Sequence, residues 1–145
     1  MRILQLITQT QLRGAEVFAA QLSDTLATRG HEVVLAALHD GHQTLSTLPQ
    51  VRQVVLGGAG NASRLPISPA VWRSLYRLVK EFHPDVVQAN GSETLKYAAL
   101  LGLCCPWVRA VYRNISIMSM WSASGLKRRL VGATLRRMDH VASVT

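Results

Sequence analysis

Cysteine is scarce in this chain: the two that occur, Cys104 and Cys105, are adjacent and followed by Pro106. That spacing offers neither a disulfide framework between distant segments nor a set of metal ligands, and it fits a reducing, cytoplasmic setting. Acidic residues are few as well: 8 Asp plus Glu stand against 16 Lys plus Arg, a formal charge of +8. Such an excess invites an anionic partner, whether lipid headgroup, nucleotide phosphate or nucleic acid. Long apolar runs are missing. The most apolar later stretch, Leu95 to Tyr112, is broken by Lys96, Pro106 and Arg109, which argues against a membrane-spanning helix. Gln5, Thr8 and Gln9 interrupt the N-terminus too early for a signal peptide. Repeats, low-complexity segments and a nucleic-acid motif are absent, and in the basic stretch over 124–138 aromatic residues are not interleaved with the basic ones. What is there is 145 residues, 48% of them hydrophobic, enough for about one domain with a substantial core.

The opening stretch sets the pattern for the rest. Ile3, Leu4, Leu6 and Ile7 form an apolar run ending at Thr8, Gln9 and Thr10, which reads as a strand buried on both faces of a parallel sheet. Beyond Gly14, the residues Val17, Phe18, Leu22 and Leu26 recur at helical spacing, with Arg29 and Gly30 as stop signals. The same unit then recurs. Residues 31–38 read as a second strand ending at His39-Asp40-Gly41-His42, whose histidines lack the thiols or carboxylates of a metal site. His31, just after Gly30, is placed to cap the helix carbonyls. Val51, Val54, Val55 and Leu56 suggest a third strand, followed by Gly57-Gly58-Ala59-Gly60-Asn61. There the third fingerprint position falls on Ser63 and Pro66 blocks an immediate helix, so a surface loop is expected, not a cofactor cradle. Ser68-Pro69 opens a helix with Val71, Leu75, Leu78, Val79 and Phe82 on one face and Arg73 and Arg77 on a solvated one.

Pro84 closes that helix, residues 85–89 give a fourth strand, and Ser92 is expected to cap a helix over 93–103. Trp107 to Tyr112 reads as a fifth strand. Ile117, Met118, Met120 and Trp121 lie in an irregular stretch before a basic amphipathic helix over 124–138, and 140–145 begin a sixth strand. The basic helix carries Lys127, Arg128, Arg129, Arg136 and Arg137. It is open to two readings, a solvated face over a core stripe or attachment to an anionic membrane surface. Alternating strands and helices specify an α/β doubly wound parallel sheet with right-handed crossovers. Its strand C-terminal ends should bring the turns after strands one, four and five to one crevice. Arg13-Gly14-Ala15-Glu16, at a helix N-terminus, is an ordinary turn or a phosphate-binding one, and matches neither the dinucleotide fingerprint nor the P-loop.

Three phrases carry a resemblance to a known family: Arg13-Gly14-Ala15-Glu16 after the first strand, Arg29-Gly30-His31-Glu32-Val33 at the start of the second, and Phe82-His83-Pro84-Asp85-Val86-Val87 before the fourth. In this order the chain resembles the N-terminal, Rossmann-like half of a GT-B glycosyltransferase of the retaining family 4 type. The resemblance runs over essentially the whole chain, so residues 1–145 read as one acceptor-side domain. It implies transfer of a sugar from a nucleotide-sugar donor to a lipid-linked or other envelope-glycan acceptor, with retained anomeric configuration, no metal and no other cofactor. The enzyme is expected to be cytoplasmic, or peripheral on the cytoplasmic face of the membrane.

Carried over by position, Gly14 and Ala15 offer backbone N–H groups to the donor diphosphate, Arg13 stands where the family has a glycine, and Glu16 orders the turn. Asn90 and Arg113 stand where many members have histidine, and neither is a general base near neutral pH. The resemblance therefore implies acceptor-binding roles for Asn90, Gly91, Ser92, Glu93, Arg113 and Asn114. For Arg113, a bidentate contact to phosphate and a salt bridge with Glu93 stay open. The family's donor-binding half is not in this sequence, so the chain is expected not to turn over substrate alone. It reads as a piece of a longer enzyme in preference to one subunit of a split enzyme, because Val144-Thr145 falls inside an apparent strand. A different class of function, a non-catalytic subunit that binds a membrane surface and recruits a catalytic partner, is the alternative. A dinucleotide-binding oxidoreductase is disfavoured by the missing fingerprint.

Overall fold

The computed structural model describes residues 1–58, 67–114, 129 and 132–143. Strands β1 (Arg2–Gln9), β2 (Glu32–His39), β3 (Arg52–Val55), β4 (Val86–Asn90), β5 (Arg109–Asn114) and β6 (His140–Ser143) alternate with helices α1 (Gly14–Thr28), α2 (Pro69–Phe82) and α3 (Ser92–Cys104). They form one all-parallel sheet in the order β3-β2-β1-β4-β5-β6. The chain leaves β1 toward β2 on one side, and β4 joins β1 on the other. The order therefore reverses between β1 and β4, which puts a crevice at their C-terminal ends.

Each sheet face buries a separate core. One is built by Leu4, Leu6, Val34, Ala36, Val87, Ala89 and Tyr112 under α2 and α3, with Leu135 and Met138 packed against it. The other places Ile7, Val33, Leu35 and Ala37 under Ala19 and Ala20 of α1. The period-2 alternation of the strands assigns side chains to these two faces. α2 buries Val71, Leu75, Leu78, Val79 and Phe82, the stripe expected from its spacing.

α1 departs from expectation. Its buried residues are Glu16, Ala19, Ala20 and Ser23, while Val17, Leu22 and Leu26 are half-buried and Phe18 is exposed. Small side chains let the helix lie close to the sheet, and Ser23 satisfies its hydroxyl by donating to Ala19 O at 2.7 Å. The bulkier residues are left to flank the contact.

Strand ends also shift. β4 and β5 run to Asn90 and Asn114, because Asn90 pairs in register with Arg113 and extends the ladder past the predicted limits. Ser92 is the first residue of α3, not its cap: Gly91 takes that place at φ +103°, a conformation costly for any residue with a Cβ. After α1 it is the backbone N–H of His31 that bonds Leu26 O, at 3.1 Å. The glycine-rich stretch from Ala59 onward, residues 115–128 with Lys127 and Arg128, and Val144-Thr145 lie outside the described residues.

Candidate functional site

Three strand ends define the site. Beyond β1, the turn Thr10–Arg13 is tied to the turn after β2. Thr10 Oγ1 donates to Asp40 Oδ1 at 3.2 Å and accepts from Gly41 N at 2.8 Å, and Leu12 N donates to Gln43 Oε1 at 2.8 Å. A Cβ on Gly41 would meet Thr10 O at 2.5 Å, so the two turns are in backbone contact. Asp40 also accepts His42 N at 2.8 Å, and that bond chiefly holds its carboxyl below the ordinary aspartate value. The histidine-bearing turn is thus a brace for the first loop. Among the described residues no group of three His, Cys, Asp or Glu is placed to hold a metal ion.

The braced loop presents the start of α1. Arg13 occupies the cap position in an extended conformation without a side-chain cap bond, which leaves first-turn N–H groups for another acceptor. A Cβ at Gly14 would meet nothing within 4 Å; the backbone there faces open space. Glu16 sits in the same turn but is only 5% exposed. Burial raises its pKa above the ordinary glutamate value, opposed by its own backbone N–H and by Arg13. An acid whose folded pKa is raised destabilises the fold when ionised, and that cost disappears as pH falls below the unfolded value. Glu16→Gln should therefore raise Tm at neutral pH and leave it unchanged below the glutamate range. Thermal melts of both proteins across pH would check this.

The second strand end is β4. Asn90 is 1% exposed. Its Nδ2 donates to Gln5 Oε1 at 2.9 Å and to Leu6 O at 3.2 Å, and its Oδ1 accepts from Gln88 Nε2 at 3.1 Å. The amide is thereby spent on joining β4 to β1, so Asn90 shapes the crevice floor from beneath. Gly91 and Ser92 follow at the start of α3, where Thr94 Oγ1 donates to Gly91 O at 2.9 Å. Glu93 is exposed and pairs with Lys96 at 2.7 Å.

Arg113, at the end of β5, is the third element. The salt bridge with Glu93 is not the contact it makes. Its guanidinium carbon stands 3.5 Å from the centroid of the Phe18 ring, a cation–π stack. Its Nη1 is buried without a hydrogen-bond partner among the described residues. Burial draws its pKa below the usual guanidinium value, yet arginine stays charged at neutral pH. Phe18 follows Gly14 by four residues, about 6 Å along the helix axis. The stack therefore sets a cation with an unmet donor one turn from an uncapped helix N-terminus, and both features favour an anion. The helical spacing of Phe18 with Val17, Leu22 and Leu26 predicts one buried stripe, yet Phe18 is exposed. Its i+4 relation to Gly14 was the available signal, but only the register of β5 shows which cation lies over it.

Gln5 Nε2 is a further buried donor without a partner among the described residues. Asn114 ends β5 beside Arg113 and pairs in register with Ser143. Arg129, Arg136 and Arg137 are exposed; Arg136 and Arg137 flank Leu135 and Met138, which join the core on the α2–α3 side of the sheet.

Comparison with known proteins gives a consistent picture. A structure of HepE from Anabaena, in complex with UDP and glucose, aligns at a TM-score of 0.64 and 19% identity over 97% of this chain and 37% of that one. HepE in complex with UDP-glucose aligns at 0.63 and 18%. The UDP-GlcNAc 2-epimerase of Methanocaldococcus jannaschii aligns at 0.66 and 12% over all of this chain and 40% of the epimerase. The chain thus spans about two-fifths of the length of these structures, and its Rossmann-like sheet is consistent with the N-terminal half of the GT-B architecture. No curated protein matches it. A family model described as Glycosyltransferase Family 4 matches residues 12–145, and the chain belongs to that family.

Proposed function

We propose that this domain is the acceptor-side half of a retaining hexosyltransferase that uses a nucleotide-sugar donor and a lipid-linked or other envelope-glycan acceptor. The observation that carries the reading is Arg113: a buried, unmet guanidinium donor held by Phe18 beside the open N-terminus of α1. When a sugar leaves a nucleoside diphosphate, negative charge accumulates on the departing phosphate. Donors fixed in advance around that point stabilise the transition state without reorganising. The N–H groups of Gly14 and Ala15 with the Arg113 fork are such donors, and Arg13 adds positive charge at the rim.

On this reading Asn90 positions β4 against β1, while Ser92, Glu93 and Asn114 line the acceptor side. No proton-transfer role falls on Asn90 or Arg113, and no metal is required, because the cations and helix dipole take its electrostatic part. The HepE complexes with UDP and UDP-glucose support a nucleotide sugar as donor. The remaining donor contacts belong to a second domain, in cis or in a partner chain. The test is to incubate the complete natural protein with a lipid-linked glycan acceptor fraction and a panel of UDP-, GDP- and ADP-sugars and to measure nucleotide release. Donor-selective release supports the reading, and none with any donor overturns it.

Attachment to an anionic membrane surface is supported by one further observation. Among the described residues no helix is long and apolar enough to cross a membrane. α2, however, exposes Arg73, Arg77 and Lys80 beside the Trp72–Tyr76 ring pair, with centroids 5.9 Å apart. Exposed Arg136 and Arg137 are on the same side of the sheet. Aromatic rings among cations suit the headgroup layer of an anionic bilayer. This favours peripheral attachment and also fits the alternative of a membrane-surface, partner-recruiting subunit. Replacing Arg73, Arg77 and Arg136 together with glutamine should weaken binding to phosphatidylserine liposomes by about 100-fold, taking about 1 kcal/mol for each cation. Sedimentation of the variant at the wild-type level would contradict it.

A further inference from the structure

The opposite end of the sheet carries a pocket that is open to solvent. It has a volume of about 660 Å³ and is lined by Met1, Arg2, Glu32, His83, Asp85 and Trp107, together with Gly30 and Pro84. These residues precede or begin β1, β2, β4 and β5, or end α1 and α2. The eight residues of β1 separate this basal cavity from the crevice by about 23 Å. Its size is that of a small-ligand site.

The lining is fixed by the sheet itself. Glu32 N donates to Met1 O at 3.0 Å, Asp85 N to Arg2 O at 2.9 Å, and Arg109 N to Asp85 O at 3.1 Å. Asp85 Oδ2 accepts Arg2 N at 2.7 Å. These bonds fix the backbone of the base, and the bond from Arg2 N holds the Asp85 carboxylate as well. Trp107 is 47% exposed, and Lys80 Nζ stands 4.5 Å from its ring centroid, which fixes the indole while leaving much of its surface open.

The chemistry of the lining selects the ligand class. A metal ion is excluded, because no three ligating side chains gather among the described residues. An anion is disfavoured. Arg2 already faces Glu32 at 3.6 Å and donates to Phe82 O at 3.2 Å, and the C-terminal ends of α1 and α2 add negative potential. A purely apolar molecule would strand the carboxylates, the guanidinium and the imidazole. What satisfies all of them is a neutral ring bearing many hydroxyls. Its C–H face lies on an indole, and its hydroxyls donate to Glu32 and Asp85 and accept from Arg2. We propose that the basal cavity is a saccharide-binding subsite centred on Trp107, separate from the transfer crevice and independent of the transfer reading.

The test uses the full chain, labelled with ¹⁵N, and a panel of methyl glycosides of glucose, galactose, mannose and N-acetylglucosamine. The three tryptophans, Trp72, Trp107 and Trp121, give separate indole N–H signals. At least one glycoside should shift the Trp107 signal saturably, with Kd on the order of 1–10 mM as expected for a single sugar ring. The amides of Arg2, Glu32 and Asp85 should move with it while the Trp72 signal stays still. Trp107→Phe should retain the shifts of the Arg2, Glu32 and Asp85 amides and Trp107→Ala abolish them, with the remaining amide spectrum showing both variants folded. Absence of a saturable shift at Trp107 for every glycoside would overturn the proposal. So would shifts confined to Gly14, Ala15 and Arg113, or shifts at Arg2, Glu32 and Asp85 that survive Trp107→Ala.

Discussion

Replacing Arg113 with alanine should lower kcat/KM for the nucleotide sugar in the complete natural protein by about 100-fold, the scale of one lost transition-state donor. The same substitution should leave Tm unchanged or slightly higher, since it removes a buried donor that has no hydrogen-bond partner among the described residues. Activity lost without stability lost separates a group kept for a ligand from one kept for the fold. Arg113→Lys should recover little of the rate, because an ammonium neither stacks flat on Phe18 nor presents two parallel donors. Phe18→Ala should fall in between, at about 5- to 10-fold, through the lost cation–π contact. A large fall in Tm with an unchanged rate would assign Arg113 to the fold.

Asn90→Asp should be the most damaging single change to stability. Two of the contacts of this side chain are donations from Nδ2, to Gln5 Oε1 and Leu6 O. A carboxylate at that place would set oxygen against oxygen in a buried position, at a cost of about 3–5 kcal/mol at neutral pH. The sign of its pH dependence follows. Burial and the neighbouring acceptors raise the folded pKa of the introduced carboxyl above its unfolded value. The penalty is complete above the folded pKa and shrinks as pH falls toward the unfolded one, where the protonated group regains a donor. Asn90→Ala should cost about 1–3 kcal/mol with no such pH dependence. Urea denaturation of both variants at neutral and mildly acidic pH distinguishes them; parallel curves would contradict the bonding described.

How much of this was legible in the sequence depends on the element. The apolar runs at Ile3–Ile7 and Val33–Leu38 and the α2 stripe from Val71 to Phe82 are spelled by periodicity, because burial alone sets them. α1 misleads. Hydrophobicity points to Phe18 and Leu22, whereas the contact is made by Ala19, Ala20 and Ser23, since close approach to the sheet favours small volume over apolar area. The crevice was legible as a place, from strands ending in polar turns. The partners within it were not. Asn90 reaches Gln5, 85 residues away, and Arg113 reaches Phe18 across the sheet; both contacts depend on strand order and register, which no local pattern encodes. The basal cavity was hidden for the same reason, being assembled from the starts of four strands.

On the proposed function, the diphosphate of a nucleotide sugar rests between the α1 N-terminus and Arg113. The most direct measurement is a titration of the complete natural protein with a nucleoside diphosphate, following the backbone amides of Gly14 and Ala15 and the Arg113 side-chain N–H by NMR. Saturable shifts are expected at all three with one common Kd, and at Gly14 and Ala15 with a weaker one in Arg113→Ala. Saturation of the nucleotide elsewhere, with Gly14, Ala15 and Arg113 unmoved, would contradict it.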